Sequence, residues 1–322
     1  MTSKKKLPIS VIIPTMNRND SLKRTLFYIV QFDYVPDEII LIDQSFQNEV
    51  RYQNRLLLKE CRTNYKYFYL ENPSSTKARN IGLKNAENNI IVFLDDDVDV
   101  EKDTFRNIYR YMCDENIAMI GGLDELNVIE NKKSRCNSFF SYFFGTKTPK
   151  KNIGYVTKSM LGRYPDSIEG VVPTMWAMGY CFIIRKSLAE EWNLYFDEKM
   201  TGYAYAEDLD FTFSYYKHAS ENNMKCILTN EIKVKHLVSK EFRIPSNEAI
   251  YKSVINRAYL GYKHHMGITS TLAQLWTNLG FILLNINSKE IILTRIKAQI
   301  YCESVRKKLK RGYLEYNYKD KV

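Results

Sequence analysis

The amino-acid sequence predicts an α/β fold with a doubly wound, mostly parallel sheet, flanking helices and a C-terminal helical extension. Three observations carry this. Short β-branched apolar runs alternate with helix-period segments over residues 10–123, the pattern of parallel strands with crossover helices. Two of those runs end in carboxylates, at Asp43 and at Asp95-Asp96-Asp97, and open α/β sheets bind ligands at the carboxyl ends of their strands. Beyond Pro245 the pattern is helical to the end of the chain.

The elements follow in order. Residues 10–14 read as the first strand, and Asn19 or Asp20 is placed to cap a helix through Leu22, Leu26, Ile29 and Val30. Residues 38–43 form a second strand, 47–60 a polar helix, 65–70 a third strand and 76–86 a short helix. Residues 89–94 form the fourth strand, Asp103 caps the next helix, and 118–123 form the fifth strand. From 124 to about 172 no period holds, and long loops on such cores often carry function. Residues 178–185 read as a strand and 187–192 as a helix. Residues 207–219 read as a helix opened by Asp208, and 224–228 and 232–234 as two short strands.

The composition is that of an ordinary globular protein, 45% hydrophobic and 26% charged. The six cysteines are scattered without a CxxC pair. That argues against a zinc ribbon or a disulfide framework and fits reduced thiols in the cytoplasm. Lys4-Lys5-Lys6 precede an apolar stretch broken by Pro8 and Pro14, which reads as a strand rather than a signal core. The formal charge of +10 is concentrated over residues 289–311. No nucleic-acid recognition motif accompanies it, so nucleic acid is not an expected partner.

Adjacent carboxylates at a strand end repel unless a cation or donor neutralises them. The Asp triplet therefore reads as the seat of a divalent metal that bridges the sheet to a phosphate-bearing ligand. A calcium loop on Asp95, Asp97 and Asp99 fails, because Val100 stands where glycine is needed and Arg106 where glutamate is needed. A phosphoacceptor aspartate fails because Pro14-Thr15 supplies no further acid at the end of the first strand. A second acidic group, Glu207-Asp208 with Asp210, suits a general base that removes a proton from an acceptor hydroxyl.

Seven pieces in order resemble the inverting family 2 glycosyltransferases of the GT-A fold. They are Ser10–Thr15 with Asn17-Arg18; Ile39–Asp43; Lys77-Ala78-Arg79-Asn80 with Gly82; Phe93–Asp97; Gly179–Arg185; Phe196-Asp197-Glu198; and Glu207-Asp208-x-Asp210. The resemblance covers roughly residues 7–236. It implies a GT-A nucleotide-sugar-binding and catalytic domain over 1–240; the helical extension over 241–322 lies outside the resemblance and is expected from its composition to dock on a membrane or partner. It implies transfer of a sugar from a nucleotide-diphospho-sugar, UDP-linked by default, to a hydroxyl of a glycan or lipid-linked acceptor, with inversion.

It also implies roles. Asp208 is the catalytic base, with Glu207 as second candidate. Pro14, Thr15, Asn17, Arg18, Asp43, Lys77, Arg79, Asp95 and Asp96 bind the nucleotide-sugar, Asp43 through the base. Asp97, Asp95 and His236 hold Mn²⁺ or Mg²⁺. Trp176, Gly179 and Tyr180 contact the acceptor, with Trp176, Tyr180 and Tyr203 as an aromatic floor. The chain departs from the pattern at Gln44-Ser45 and over residues 202–206. A non-catalytic nucleotide or glycan binding module is the alternative from another class. A nucleotidyltransferase is the alternative among enzymes, although its Gly-rich loop is missing after the first strand.

Residues 267–288 carry no formal charge but hold nine Ser, Thr, Asn or Gln side chains. That reads as a helix packed on the protein or lying in an interface, not a membrane span. Residues 291–309 place Ile292, Ile296, Ile300 and Leu309 among Arg and Lys, an amphipathic basic helix suited to an anionic surface. The expected location is cytoplasmic and peripheral on the inner face of the cell membrane.

Overall fold

The computed structural model describes residues 4–126, 138–146, 152–165, 167–202, 204–238 and 246–318. Strand β1 (Lys5–Thr15) is followed by α1 (Asn19–Val30), β2 (Tyr34–Asp43), α2 (Asn48–Glu60), β3 (Asn64–Tyr69) and α3 (Ser75–Asn85). Then come β4 (Ile90–Leu94), β5 (Val98–Val100), α4 (Thr104–Met112) and β6 (Ile117–Asp124). Short elements fill the next stretch: α5 (Ser138–Phe143), β7 (Tyr155–Val156), β8 (Gly162–Arg163) and β9 (Val171–Pro173). The core resumes with β10 (Cys181–Arg185), α6 (Lys186–Glu191), α7 (Glu207–Glu221) and β11 (Lys225–His236). The C-terminal helices are α8 (Ser246–Lys263), α9 (Gly267–Leu284), α10 (Lys289–Ser304) and α11 (Arg306–Lys310).

The main sheet runs β3-β2-β1-β4-β10-β6-β11-β5, with β9 on β11. β1 pairs in parallel with β2 and β4, β2 with β3, and β6 with β11. The antiparallel β10 lies between β4 and β6. Because side chains alternate across a strand, Ile9, Val11 and Ile13 face α1 and α4 through Leu22, Leu26, Phe105 and Ile108. Ile12, Ile40, Ile42 and Phe93 face α3, α6 and α7 through Ala78, Leu83, Ala189, Phe211 and Tyr215. This is the α/β, GT-A type architecture expected from the sequence.

The C-terminal helices pack on α7. Leu209 and Phe213 of α7 join Val254, Ile255 and Tyr259 of α8 and Ala298 and Cys302 of α10 in a third cluster. Polar clasps register the contact: Asp210 accepts from Lys263 (2.6 Å) and pairs with His264 (2.9 Å), and Asp197 accepts from Tyr259 (2.6 Å) and Lys263 (2.8 Å).

Several boundaries differ from expectation for local reasons. Arg18, not Asn19 or Asp20, is the N-cap of α1 and makes no side-chain cap bond; the Asn19 amide is spent on Asn54 (2.8 Å). Asp103 sits at the N-cap of α4, again with no side-chain cap bond. β10 begins at Cys181 rather than 178, because the Met178 N–H donates to the Tyr164 hydroxyl (3.0 Å) and the Gly179 N–H to Asp208 (2.7 Å) instead of to a ladder partner. α7 begins at Glu207 behind Ala206, whose φ is +67°. The two expected short strands are one, β11, with an irregular register between Leu228 and Lys233. The single helix expected over 291–309 is interrupted at Val305, and Leu309 is buried rather than on an outer stripe.

Candidate active site

Three carboxylates follow β4, and the fold sends each to a different neighbour. Asp96 turns inward. It accepts from the Thr15 hydroxyl (2.7 Å) and from Arg18 (3.1 Å), and its carbonyl accepts from Thr25 (2.9 Å). Burial pushes its carboxyl up to about 6, against the pull of Arg18 and Thr15. Asp95 and Asp97 face the other way. The Asp95 N–H donates to the Tyr180 carbonyl (3.1 Å), which locks the turn against the start of β10.

His236 reaches the same place through the sheet. β11 pairs antiparallel with β5, setting His236 opposite Val98. Its Nε2 lies 3.2 Å from Asp97 Oδ1, and the Tyr180 ring stacks on its imidazole at 5.2 Å. Burial alone would lower the imidazole pKa, but Asp97 and Asp95 outweigh it and raise it. One ligand atom each from Asp95, Asp97 and His236 lie within 4.8 Å of one another. Two carboxylates and an imidazole are a donor set that suits Mn²⁺ and, through the oxygens, Mg²⁺.

Arg79 of α3 joins this group to the second acidic group. It is 4% exposed, pairs with Glu207, and donates to Asp95 (3.0 Å) and the Gly179 carbonyl (3.2 Å). Burial would depress its guanidinium, but Glu207, Asp95 and Asp208 more than offset it, so its charge is held firmly. Glu207 is pushed up to about 7, by burial first and by the Asp208 charge, with Arg79 opposing.

Asp208 is likewise raised by burial, opposed by Arg79 and by the N–H groups of Leu209 and Gly179. Its Oδ2 accepts from the Gly179 N–H (2.7 Å) and its Oδ1 from the Leu209 N–H (2.7 Å). A Cβ at Gly179 would stand 3.2 Å from both Arg79 Nη2 and Asp208 Oδ2, so a larger residue would crowd the base and the arginine on this peptide. Ala206, in the left-handed region immediately before this pair, marks backbone strain at a chemically loaded turn.

The segment over residues 10–192, more than half of the chain, matches the model of glycosyl transferase family 2. The chain belongs to that family. The match spans β1 to α6 and stops short of Glu207, Asp208 and His236. An uncharacterized glycosyltransferase of Haemophilus influenzae is 30% identical over 115 residues, which is 35% of this chain and 46% of the relative. An uncharacterized glycosyltransferase of Rickettsia conorii is 32% identical over 108 residues, 34% of this chain and 18% of the relative. The matched region thus spans less than half the length of these relatives.

Among solved structures, Staphylococcus aureus TarS 1–349 in complex with UDP-GlcNAc superposes with a TM-score of 0.57 at 16% identity, over 95% of this chain and 84% of that one. The mannosyltransferase PcManGT of Pyrobaculum calidifontis, in complex with GDP-Man and Mn²⁺, gives 0.52 at 13% identity, over 93% and 76%. At these identities the likeness is one of fold.

The remaining sequence-predicted residues of this family 2 chain fall into three groups. Asp43 is fully buried and accepts from the Ser45 N–H (2.8 Å), Asn54 (2.8 Å) and the Tyr67 hydroxyl (2.9 Å). One of the roughly four lone-pair positions of its carboxylate is left. Pro14, the penultimate residue of β1, pairs with Ile42, and Thr15 pairs with Asp43 itself. Asn17, at a φ of +55°, ties the first loop to the second: its N–H donates to Ser45 Oγ (2.9 Å) and its Oδ1 accepts from the Phe46 N–H (3.0 Å). Gln44 binds the α3 loop, accepting from the Ser74 N–H (2.6 Å).

Lys77 is exposed on α3, and no contact among the described residues joins its side chain to the carboxylates. Trp176 and Tyr180 are buried, not an open floor. The Trp176 indole donates to the Arg163 carbonyl (3.2 Å), and the Tyr180 hydroxyl to the Gly122 carbonyl (3.0 Å). Tyr203 lies outside the described residues. Asp210 points to Lys263 and His264, away from Asp208.

Sequence reasoning missed Tyr164 and Thr212. Tyr164 Oη accepts from the Met178 N–H (3.0 Å), next to the peptide that holds Asp208. Thr212 donates to the Asp208 carbonyl (2.6 Å) and accepts from the Ala177 N–H (3.0 Å). Neither lies in a motif, so only their packing reveals them.

Proposed function

We propose that this protein transfers a sugar from a nucleotide-diphospho-sugar to an acceptor hydroxyl, with inversion and with a divalent ion. The observation that carries this is the Arg79 bridge, which puts the Asp95–Asp97–His236 donor set and the Glu207–Asp208 pair in one cleft. Asp97, Asp95 and His236 hold Mn²⁺ or Mg²⁺. When bound, the ion neutralises charge on the departing diphosphate.

Asp208 accepts the proton of the acceptor hydroxyl. The oxygen then bonds to the anomeric carbon on the face opposite the leaving group, whose bond electrons depart on the phosphate oxygen. Arg79 holds Glu207 in place, and its positive charge opposes the upward push that burial gives Asp208. Glu207 is ion-paired with Arg79, whereas Asp208 is oriented by two backbone N–H groups and carries no salt bridge among the described residues, so Asp208 is taken as the base. Asp43, Asn17, Thr15 and Arg18 shape the nucleotide end, and Gly179 sets the acceptor side. Residues 1–240 act as the catalytic domain and 241–322 as an extension. UDP-linked sugars are the first donors to test, consistent with the UDP-GlcNAc complex of TarS.

The test is thermal melting with UDP-sugars and Mn²⁺, together with a turnover assay. A donor at a hundred times its Kd stabilises by about 2.7 kcal/mol, a rise of roughly 4 °C at this chain length. Asp97→Ala is expected to lose the Mn²⁺-dependent part of that rise and the turnover. A wild-type protein indifferent to Mn²⁺ would remove the metal from the mechanism.

The C-terminal extension supports a peripheral location on an anionic membrane face, where lipid-linked acceptors reside. Among the described residues no helix is long and apolar enough to cross a membrane. Instead α9 is inverted. Ser270, Gln274, Thr277 and Asn278 are buried against the protein, while Leu272 is 60% exposed and Trp276 44%. Trp276 continues that outer face to Phe143 of α5 (ring centroids 5.2 Å apart). On α10 the exposed Leu293, Ile296 and Ile300 are interleaved with exposed Lys289 and Lys297.

A second copy would set these like charges against each other, whereas an anionic bilayer complements them. Sedimentation with phosphatidylglycerol vesicles is expected to carry the protein down at low salt, and Leu272→Asp to leave it in the supernatant. Equal recovery with neutral vesicles, or a dimer dissolved by Leu272→Asp, would assign the face to something else.

A further inference from the structure

Three arginines unused by the catalytic reading meet against the polar face of α9: Arg163 of β8, Arg257 of α8 and Arg295 of α10. Arg257 and Arg295 are 3% and 8% exposed, and Arg163 is half-buried. Each has only neutral acceptors in its hydrogen bonds. Arg257 Nε donates to the Ser159 carbonyl (2.7 Å), Arg295 Nη1 to Asn278 Oδ1 (3.1 Å), and Arg163 Nη2 to the Thr146 carbonyl (2.7 Å). Gln274, one turn before Asn278, caps the Arg257 carbonyl (2.8 Å).

Among the described residues no carboxylate forms an ion pair with any of the three. The charged and titratable neighbours acting on Arg257 are Tyr205, Arg295, Arg163 and Cys302; burial first, and then the two other guanidinium groups, depress it to about 10. One nitrogen on each side chain is buried with no acceptor: Nε of Arg163, Nη2 of Arg257 and Nε of Arg295. Buried donors without partners and buried like charges without a counter-ion are both costly. A fold that keeps all three together is a fold prepared for an anion.

The location gives the anion a role. Tyr205 acts on all three arginines, its carbonyl accepts from Asn256 (2.9 Å), and it lies two residues before Glu207. Arg163 adjoins Tyr164, whose hydroxyl holds the Met178 N–H beside the base-binding Gly179. The cluster thus adjoins the segments that hold Glu207 and Asp208. The unpaired donors sit on three separate elements, and guanidinium groups are favoured partners of phosphate oxygens.

We propose that Arg163, Arg257 and Arg295 form an anion site that takes a phosphate or pyrophosphate group of the acceptor. The word acceptor rests on the glycosyl-transfer reading; the anion site does not.

The test is thermal melting of the full chain in inorganic phosphate and pyrophosphate, with wild type, Arg257→Met, Arg163→Gln and Asp97→Ala. Wild type and Asp97→Ala are expected to gain several degrees in either anion. Arg257→Met and Arg163→Gln are expected to need at least tenfold more anion for the same gain. Arg257→Met, relieved of an uncompensated charge, is expected to melt no lower than wild type without anion. A structural arginine would instead lower the baseline and leave the anion response in place. The proposal is overturned if wild type ignores both anions, if both arginine variants respond as wild type does, or if Asp97→Ala abolishes the response, which would put the anion at the donor end.

The Mn²⁺ and UDP-sugar shift, measured on wild type and Arg257→Met, keeps the two readings apart: its absence from both sinks glycosyl transfer and leaves the anion site standing. Vesicles containing phosphatidic acid, set against phosphatidylglycerol at equal charge, separate the sources. Arginine-dependent preference for phosphatidic acid puts the phosphate on a lipid. A response to the soluble anions alone puts it on a soluble glycan.

Discussion

Asp208→Asn is expected to lower sugar transfer by about 10²–10⁴-fold, the range for loss of a positioned general base, with donor affinity in the presence of Mn²⁺ unchanged. The substitution is nearly isosteric. An amide oxygen can still accept the Gly179 N–H that now meets Asp208 Oδ2 at 2.7 Å. The amide NH2 loses the Leu209 N–H that Oδ1 now accepts at 2.7 Å, a local cost that the melting temperature of the variant reads separately from turnover. What disappears is the ability to hold a proton taken from the acceptor. Steady-state kinetics should show the loss in kcat, with the nucleotide-sugar melting shift preserved. A variant with full turnover would remove Asp208 as the base. A wild type that binds donor but never turns over would favour the binding-module alternative.

Arg79→Leu is expected to be the most damaging single change to stability in the cleft. The side chain is almost wholly buried and is the shared partner of Glu207 and Asp95, with Asp208 close by. Removing one member of a buried ionic group typically costs about 3–5 kcal/mol, because the charges left behind have no partner. At this size that is a fall in Tm of roughly 4–7 °C, measurable by calorimetry. Arg79→Lys should rescue little, since an ammonium cannot span three acceptors as the planar fork does.

The loss should also depend on pH. Already in the wild type the Glu207 carboxyl is raised from 4.5 to about 7. Such an acid holds its proton more tightly folded than unfolded, so it lowers stability as pH rises through that window. Without Arg79 the rise is larger, so the variant should be more nearly normal at pH 5 than at pH 8. A variant as stable as wild type at pH 8 would mean that the carboxylates do not depend on Arg79.

Much of the fold was legible because its signals are local. The apolar runs at Ile39–Ile42 and Ile90–Leu94 could only be buried strands, and the carboxylates after them could only lie at the sheet's rim. The errors also have local causes. Residues 178–180 have strand-like chemistry, yet Tyr164 and Asp208 take their N–H groups and delay β10. Asp20 and Asp103 look like caps, but no side-chain cap bond forms at either helix start. Trp176 and Tyr180 looked like sugar platforms, and their polar atoms are instead spent on buried carbonyls.

The order of elements, the strand ends that carry acids, and the family itself were determined by the chain's own pattern, because strand and helix periods are written in neighbouring residues. Tertiary structure alone decided that Asp96 is a brace while Asp95 and Asp97 come close to His236, that Asp210 is a clasp while Asp208 meets Gly179, and that Arg257 and Arg295 are buried with no carboxylate partner among the described residues. Those outcomes depend on sheet register and helix docking, which bring together residues far apart in sequence. No local period records which side chain will find a partner across that distance and which will be left to bind something else.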